Sequence, residues 1–404
     1  MTFERFIARR FMPRHGADSG FSGPLSDIAV AGIALGVVVM VMAVSILRGF
    51  QQDITQKVVG FGSHLTVTAY DAGGSYTEVP VDLDSSLTSA ILAVPGVRHV
   101  QAFATKGGMV KTGEQIYGIL LRGLATDYDT AFYHACLTDG RLPEGNNDVL
   151  ISSTIASKLE LKVGDKMRTY FWQGDSYRPR AFAVSGVYNT DLTEMDELYV
   201  IGTLATVQRL NDWDSLQAGG YEVLVDDYRR LDAVVRDVAE LMPIDLRLTT
   251  INEAHPALFS WLDLLNTNIT LILAIMCLVS AVAIVSALLI MIFEKSATIG
   301  LLKALGANDG SVRRIFLIKA VGLILWGIAI GDAIALALSL AQRHWQLVRL
   351  DPESYSMSHV PVLVDPWVYA AVSAGTLAVC LLALLLPTAG ISRISPATTM
   401  KVER

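Results

Sequence analysis

Few residues in this sequence have the types and spacing that chemistry needs. His134 and Cys136 lie two apart, so on a strand they would share a face and could pair a nucleophile with its base. An ordinary packed or surface pair is the stronger of the two readings. Asp332 is an acid inside an apolar run, a placement that marks proton or substrate pathways in membranes. Close to an outer interface it also suits a solvated or hydrogen-bonded role. There is no G-x-x-x-x-G-K-[ST], no H-E-x-x-H, no G-x-S-x-G, no kinase set and no Cys/His grouping with zinc spacing. The expectation is a chain that is not an enzyme and binds no cofactor or metal, with any nucleotide chemistry carried by another protein. Three cysteines, Cys136, Cys277 and Cys380, are too few for a disulfide framework.

The most informative stretch is EKSATIGLLKALGANDGSVRRIF at 294–316. It lies between apolar runs at 269–293 and 315–340, each longer than the roughly 20 residues a bilayer requires. Its Lys295, Lys303, Arg313 and Arg314 assign it to the cytoplasmic side. Ile299, Leu302 and Leu305 recur at helical spacing, and Gly306 closes the helix before an Ala-Asn-Asp-Gly turn. Such an amphipathic helix either docks on a cytoplasmic motor or lies on its own membrane surface. For docking, the residues of interest are Glu294, Lys295, Ile299, Leu302, Lys303, Leu305 and Gly306.

The elements that must position these residues follow from composition and order. Of 404 residues, 52% are hydrophobic and 18% charged, which excludes disorder and points to a membrane protein with a large polar part. The net charge of −7 gives no sign of nucleic-acid binding. A basic amphipathic segment at 1–27 is expected on the cytoplasmic surface. The first span, 28–47, is charge-free, too long for a signal-peptide core and read as an uncleaved anchor. An outer domain covers 48–265. Flanking halves at 48–126 and 218–265 should share one split α+β sheet, and a lobe at 127–217 is inserted between them. Short strands at 97–103 and 109–112 are separated by a Gly107-Gly108 turn in this reading, and 173–179 forms a hairpin tip. Further spans follow at 266–293, 315–342 and 367–387. A cytoplasmic helix at 294–314 and an outer loop at 343–366 join them, and a cytoplasmic tail occupies 388–404. Gly32-x-x-x-Gly36 and Gly327-x-x-x-Gly331 allow close helix approach. No chain of intramembrane acids suggests an ion-coupled pump.

With that layout in view, several segments resemble the FtsX/MacB-type permeases of ABC transporters, and within them the lipoprotein-releasing permeases. They are FIARRF at 6–11, GIALGVVVMVMAVSILRGF at 32–50, GFGSHLTV at 60–67, GVY at 186–188, EKSATIGLLKALGAN at 294–308, HVPV at 359–362 and SRISPATTMKVE at 392–403. The resemblance implies four transmembrane helices with a large periplasmic α+β domain between the first two. It also implies an inner-membrane location, a partner ATPase that binds ATP and magnesium, and a second permease, identical or not. The implied substrate is an acylated lipoprotein, extracted from the outer leaflet and passed to a periplasmic carrier.

Position alone makes Met40, Val44, Leu47, Phe50, Asn268 and Ile269 the expected substrate wall. The family analogy makes Ile299, Leu302 and Leu305 the expected ATPase contact. YFWQGDSYRPRA at 170–181 is short beside the family's carrier-hooking hairpin, and Trp172 and Tyr177 at its tip are candidate carrier contacts. Two other functions remain open on the same layout. One is an FtsX-like permease that transmits ATPase motion to a cell-wall hydrolase, and the other is a MacB-like efflux permease, although no fused ATPase domain is present in this sequence.

Overall fold

A computed structural model describes residues 22–70, 78–112, 115–173, 176–351, 355, 357–385 and 387. Most of the expected basic segment at 1–27, the tail at 388–404 and the hairpin apex at 174–175 lie outside these residues. The chain divides into two units. One comprises residues 1–51, 261–348 and 360–404, and the other comprises 52–260 and 349–359.

Helix α1 (Ser22–Phe61) is unbroken for 40 residues, roughly 60 Å at 1.5 Å per residue. Beyond it the sheet unit begins. Its first half contains β1 (Leu65–Ala69), β2 (Val81–Asp82), α2 (Ser85–Leu92), β3 (Val97–Thr112) and β4 (Gln115–Leu124). The inserted lobe contains α3 (Ala131–Cys136), β5 (Leu137–Gly140), β6 (Asp148–Ser152), α4 (Ser153–Leu159), β7 (Lys166–Gln173), β8 (Ser176–Tyr188), α5 (Thr193–Leu198), β9 (Tyr199–Thr203) and α6 (Leu204–Leu210). The second half contains β10 (Gln217–Ala218), β11 (Gly220–Val225), α7 (Leu231–Ala239), β12 (Leu246–Thr250) and α8 (Ile251–Ala254).

Among the described residues, ten strands form one sheet in the order β12-β1-β11-β3-β4-β9-β6-β8-β5, with β7 paired to both β3 and β8. β1 lies between β11 and β12, so the two ends of the unit's sequence interleave in an α+β sheet. The lobe extends that sheet through the parallel β4–β9 pair. A buried Arg122–Glu222 ion pair holds the centre. Glu222 also accepts from Tyr128 Oη at 2.8 Å and Gln101 Nε2 at 3.1 Å, and Arg122 stacks over Phe103. Two buried charges are tolerated only when paired and hydrogen-bonded in this way.

Three local expectations are corrected. Gly107-Gly108 is no turn but the middle of the 16-residue β3. A Cβ at Gly108 would come within 2.7 Å of the Phe171 ring, so the missing side chain admits β7 rather than breaking β3. His134 and Cys136 are on α3, not a strand, and at 3.6 residues per turn they point about 160° apart. The hairpin of β7 and β8 is longer than its expected tip: it is paired from Lys166↔Ala183 to Gln173↔Ser176.

The other unit is a helix bundle. It contains the first part of α1 with α9 (Pro256–Glu294), α10 (Ser296–Ala304), α11 (Asp309–Trp345) and α12 (Pro366–Ala383). Helices α1, α9, α11 and α12 are each long and apolar enough to cross a membrane. Their shared core includes Ile33, Val37 and Met40 of α1, Ile284 and Leu288 of α9, Ile324 and Ala335 of α11, and Cys380 of α12. Local chemistry fixes the helix ends. Thr250 and Glu253 form a capping box at α8. Asn308 caps α11, accepting from Ser311 N–H at 2.7 Å, and Asp365 caps α12, accepting from Trp367 N–H at 3.0 Å.

Candidate functional site

The turn between α9 and α11 is built by short-range hydrogen bonds. α10 ends in a Schellman motif: Ala307 N–H donates to Leu302 C=O at 2.9 Å, and Gly306 N–H donates to Lys303 C=O at 3.0 Å. Gly306 has φ of +96°, which a side chain would disfavour. Lys303 Nζ pairs with Asp309 at 2.9 Å, tying the end of α10 to the start of α11. Glu294, the last residue of α9, is 3.6 Å from Lys295.

This geometry corrects the expected contact stripe. Ile299 is only 1% exposed and joins Met291, Ile292, Val312 and Phe316 in the bundle core. Leu302 is half-buried. The outward apolar face is instead Ala297, Leu301, Ala304 and Leu305, with Leu301 59% and Leu305 77% exposed. Those residues recur at i, i+4, i+7 and i+8, the spacing of one helical face. Of the expected residues, Leu305 alone offers a large apolar surface outward.

The expected substrate wall is rearranged in the same way. Met40, Leu47 and Phe50 are buried within their own bundle, and Phe50 packs edge-to-face on Trp261 at 5.4 Å. Val44 and Ile269 are half-buried, and Asn268 is exposed. α1 is enclosed because both small-residue motifs are used within the chain. A Cβ at Gly36 would strike the Ser280 hydroxyl of α9. One at Gly331 would come within 2.8 Å of Val37 Cβ, and one at Gly327 within 2.8 Å of Ile33 Cβ. Toward the outside α1 presents Ile28, Ala31 and Leu35, while α9 presents Leu271, Ile275, Leu278, Val282, Leu289 and Phe293.

Residues 45–49 and 361–365 meet within the bundle. Leu363 N–H donates to Ser45 C=O at 3.1 Å, and Arg48 pairs with Asp365 at 3.3 Å. Gly49 leaves room for the Pro361 carbonyl, which a Cβ would approach to 2.7 Å. Gln342 anchors the preceding loop, donating to Val348 and Val360 carbonyls and accepting from Val348 N–H. Asp332 accepts from Ser373 Oγ at 2.7 Å, and Ser339 bonds Tyr369 Oη at 3.0 Å. These two links, one heptad apart on α11, fasten α12, which supports the hydrogen-bonded reading of Asp332.

In the sheet unit, Trp172 and Tyr177 are a directly opposed cross-strand pair with ring centroids 4.8 Å apart. Each is about half exposed, at 52% and 53%. Arg168, Arg178 and Arg180 are exposed on the same hairpin. Among the described residues, Ser176–Phe182 pairs only with β7, so that edge of β8 has no strand partner. Cys136 is half-buried; burial, with Asp196 nearby, pushes its thiol up to about 11. That direction disfavours the thiolate a nucleophile needs, in keeping with a packing residue.

Comparison with known proteins follows the same division of the chain. A family described as the MacB-like periplasmic core domain matches residues 26–241, and the FtsX-like permease C-terminal family matches 245–396. The lipoprotein-releasing system transmembrane protein LolC of Xylella fastidiosa is 22% identical, over 95% of each chain. LolC of Neisseria meningitidis serogroup B is 21% identical over the whole of both chains. LolE of Haemophilus influenzae is 21% identical, over 93% of this chain and 94% of its own. Matched along both its sheet unit and its helix bundle, the chain belongs to the FtsX-type permeases with a MacB-like periplasmic core domain, and within them it is LolC/LolE-like.

Proposed function

We propose that the chain is the permease subunit of an ABC transporter that lifts acylated lipoproteins from the outer leaflet of the inner membrane and passes them to a periplasmic carrier. A separate ATPase binds ATP and magnesium and supplies the energy. A second permease, identical or not, completes the pair. The basic flanks orient both chain ends and α10 toward the cytoplasm and the sheet unit toward the periplasm.

The observation that carries this reading is α10. It is a short helix closed by a Schellman motif, whose Leu301 and Leu305 face outward with no covering element among the described residues. Exposed leucines on a helix fixed to two spans give a motor something to push. The energetics call for one: each acyl CH₂ withdrawn from lipid costs about 0.8 kcal/mol.

An FtsX-like signalling permease is the second reading, and one observation favours it. α1 packs tightly between α9 and α11, and its Met40–Phe50 stretch forms no open wall. A photocrosslinking amino acid at Val44, half-buried in the outer half of the first span, separates the two. Capture of acylated lipoproteins, lost when ATP hydrolysis runs, is expected for extraction. Capture of only another permease helix, with and without ATP, would reject extraction in favour of signalling.

A further inference from the structure

The last two turns of α1 do not simply run into the sheet; the inserted lobe grips them. Ile54, Val58 and Phe61 are buried along one side. The Phe61 ring is surrounded by four others, with centroid distances of 5.5 Å to Phe132, 6.2 Å to Tyr133, 6.0 Å to Tyr188 and 5.7 Å to Tyr199. All four come from the lobe: two from α3, one from the end of β8 and one from the start of β9. Gly60 lies so close to the Phe132 ring that a Cβ there would overlap it. One turn earlier, Lys57 pairs with Asp53 at 3.3 Å and reaches Asp191 of the lobe at 4.0 Å. Asp191 belongs to a loop braced by Asp196, which accepts from Thr190 N–H and Oγ1.

We infer that Phe61, seated against Gly60 and Phe132, is the positioning residue through which displacement of α1 is delivered to the inserted lobe. The physical basis is stiffness. An unbroken helix carries axial and rotational movement along its length, and a close-packed aromatic cluster follows a ring pressed into it instead of yielding. The ordinary entry into the sheet would not do this. After Phe61 the chain passes through Gly62, Ser63 and His64 into β1, which among the described residues pairs only with β11 and β12 of the flanking halves. The Phe61 cluster is the close-packed link from α1 to the lobe, which bears the exposed Trp172–Tyr177 hairpin; the Lys57–Asp191 pair beside it is a long 4.0 Å contact between flexible side chains.

This inference rests on the proposed function for what the movement accomplishes, and its test separates the two. The full-length permease, assembled with its ATPase and second permease in lipid nanodiscs, carries spin labels at Ser89→Cys on α2 and Ser157→Cys on α4. ATP is expected to shift the label–label distance distribution in the parent complex. Phe61→Leu should keep assembly and ATP hydrolysis but abolish that shift, and lower lipoprotein release per ATP about tenfold. Gly60→Ala, which keeps Phe61 but displaces Phe132, should reproduce the loss, and adding Phe132→Leu should restore the shift. An ATP-driven shift that persists in both Phe61→Leu and Gly60→Ala overturns the inference, as does a parent complex with no shift. A parent complex that shifts but releases no lipoprotein leaves the linkage standing and overturns the transport reading.

Discussion

Ile299 and Leu301 are two residues apart, equally apolar, and opposite in role. The first fills the bundle core and the second faces outward. Substituting aspartate at each position therefore has different consequences. Leu305→Asp or Leu301→Asp should change thermal stability by no more than about 0.5 kcal/mol, as exposed substitutions do, while abolishing co-purification of the ATPase. Ile299→Asp buries an unpaired carboxylate and should cost about 3 kcal/mol or more, seen as loss of the folded permease in detergent. An ATPase that still binds Leu305→Asp and Leu301→Asp would remove α10 as the docking element. His64 supports a second prediction at this scale. It is buried at the end of the α1–β1 connection, and its Nδ1 accepts from Val225 N–H at 3.0 Å. Burial, aided by Arg98, lowers its pKa to about 4 from a usual 6.5. The folded state therefore binds fewer protons than the unfolded state. The stability from neutral His64 is complete above pH 6.5 and is lost as pH falls through 6.5 toward 4. The full difference is on the order of 3 kcal/mol. Unfolding midpoints between pH 7 and pH 4 should drop, and His64→Gln, which keeps an acceptor for Val225, should flatten that part of the profile.

Elements explain what could be read in advance and what could not. Apolar runs longer than a bilayer needs have one solution, so the spanning helices were legible in the sequence. The α10 terminus was also legible, because Gly306 before a polar turn is a local signal whose hydrogen bonds close within a few residues. Which face of α10 packs inward was not legible. In a membrane protein the core, the lipid and a partner all favour leucine and isoleucine, so apolar spacing marks a stripe without saying what covers it. Which α1 residues turn into the bundle was not legible for the same reason, since Met40 and Leu47 are as apolar as Leu35 but are buried. Gly107-Gly108 misled because glycine breaks chains and also admits close neighbours; only Phe171, more than 60 residues later, selects the second role. Small residues in the helices make this testable. Gly331→Leu would drive a side chain into Val37 and separate α11 from α1, a typical overpacking cost of about 1–3 kcal/mol. The exposed Gly375 of α12 faces no atom within 4 Å, so Gly375→Leu should be neutral in the same thermal assay. Equal losses at both sites would mean that these glycines matter for helix flexibility rather than for packing.

At the scale of the whole molecule, the chain assigns its tasks to different units. The bundle carries the outward leucines of α10 and the apolar face of α1. The sheet unit carries the exposed hairpin with its aromatic pair, three arginines and an unpaired strand edge. Tryptophan, tyrosine and arginine dominate the energetics of protein interfaces, and truncating such an anchor typically costs 1–2 kcal/mol or more. If the hairpin receives the carrier, the two tasks should be separable by mutation. Trp172→Ala with Tyr177→Ala should lower transfer of lipoprotein to the soluble carrier about tenfold while leaving ATP hydrolysis and crosslinking from Val44 unchanged. Tyr170→Ala, on the same hairpin but half-buried and opposite Pro179, provides a control for general damage to the strand pair. Transfer unaffected by the double substitution would leave the aromatic pair as packing and place the carrier elsewhere on the sheet unit. Loss of Val44 crosslinking together with transfer would mean that substrate entry and hand-over are a single cooperative step, contrary to the division argued from the two units.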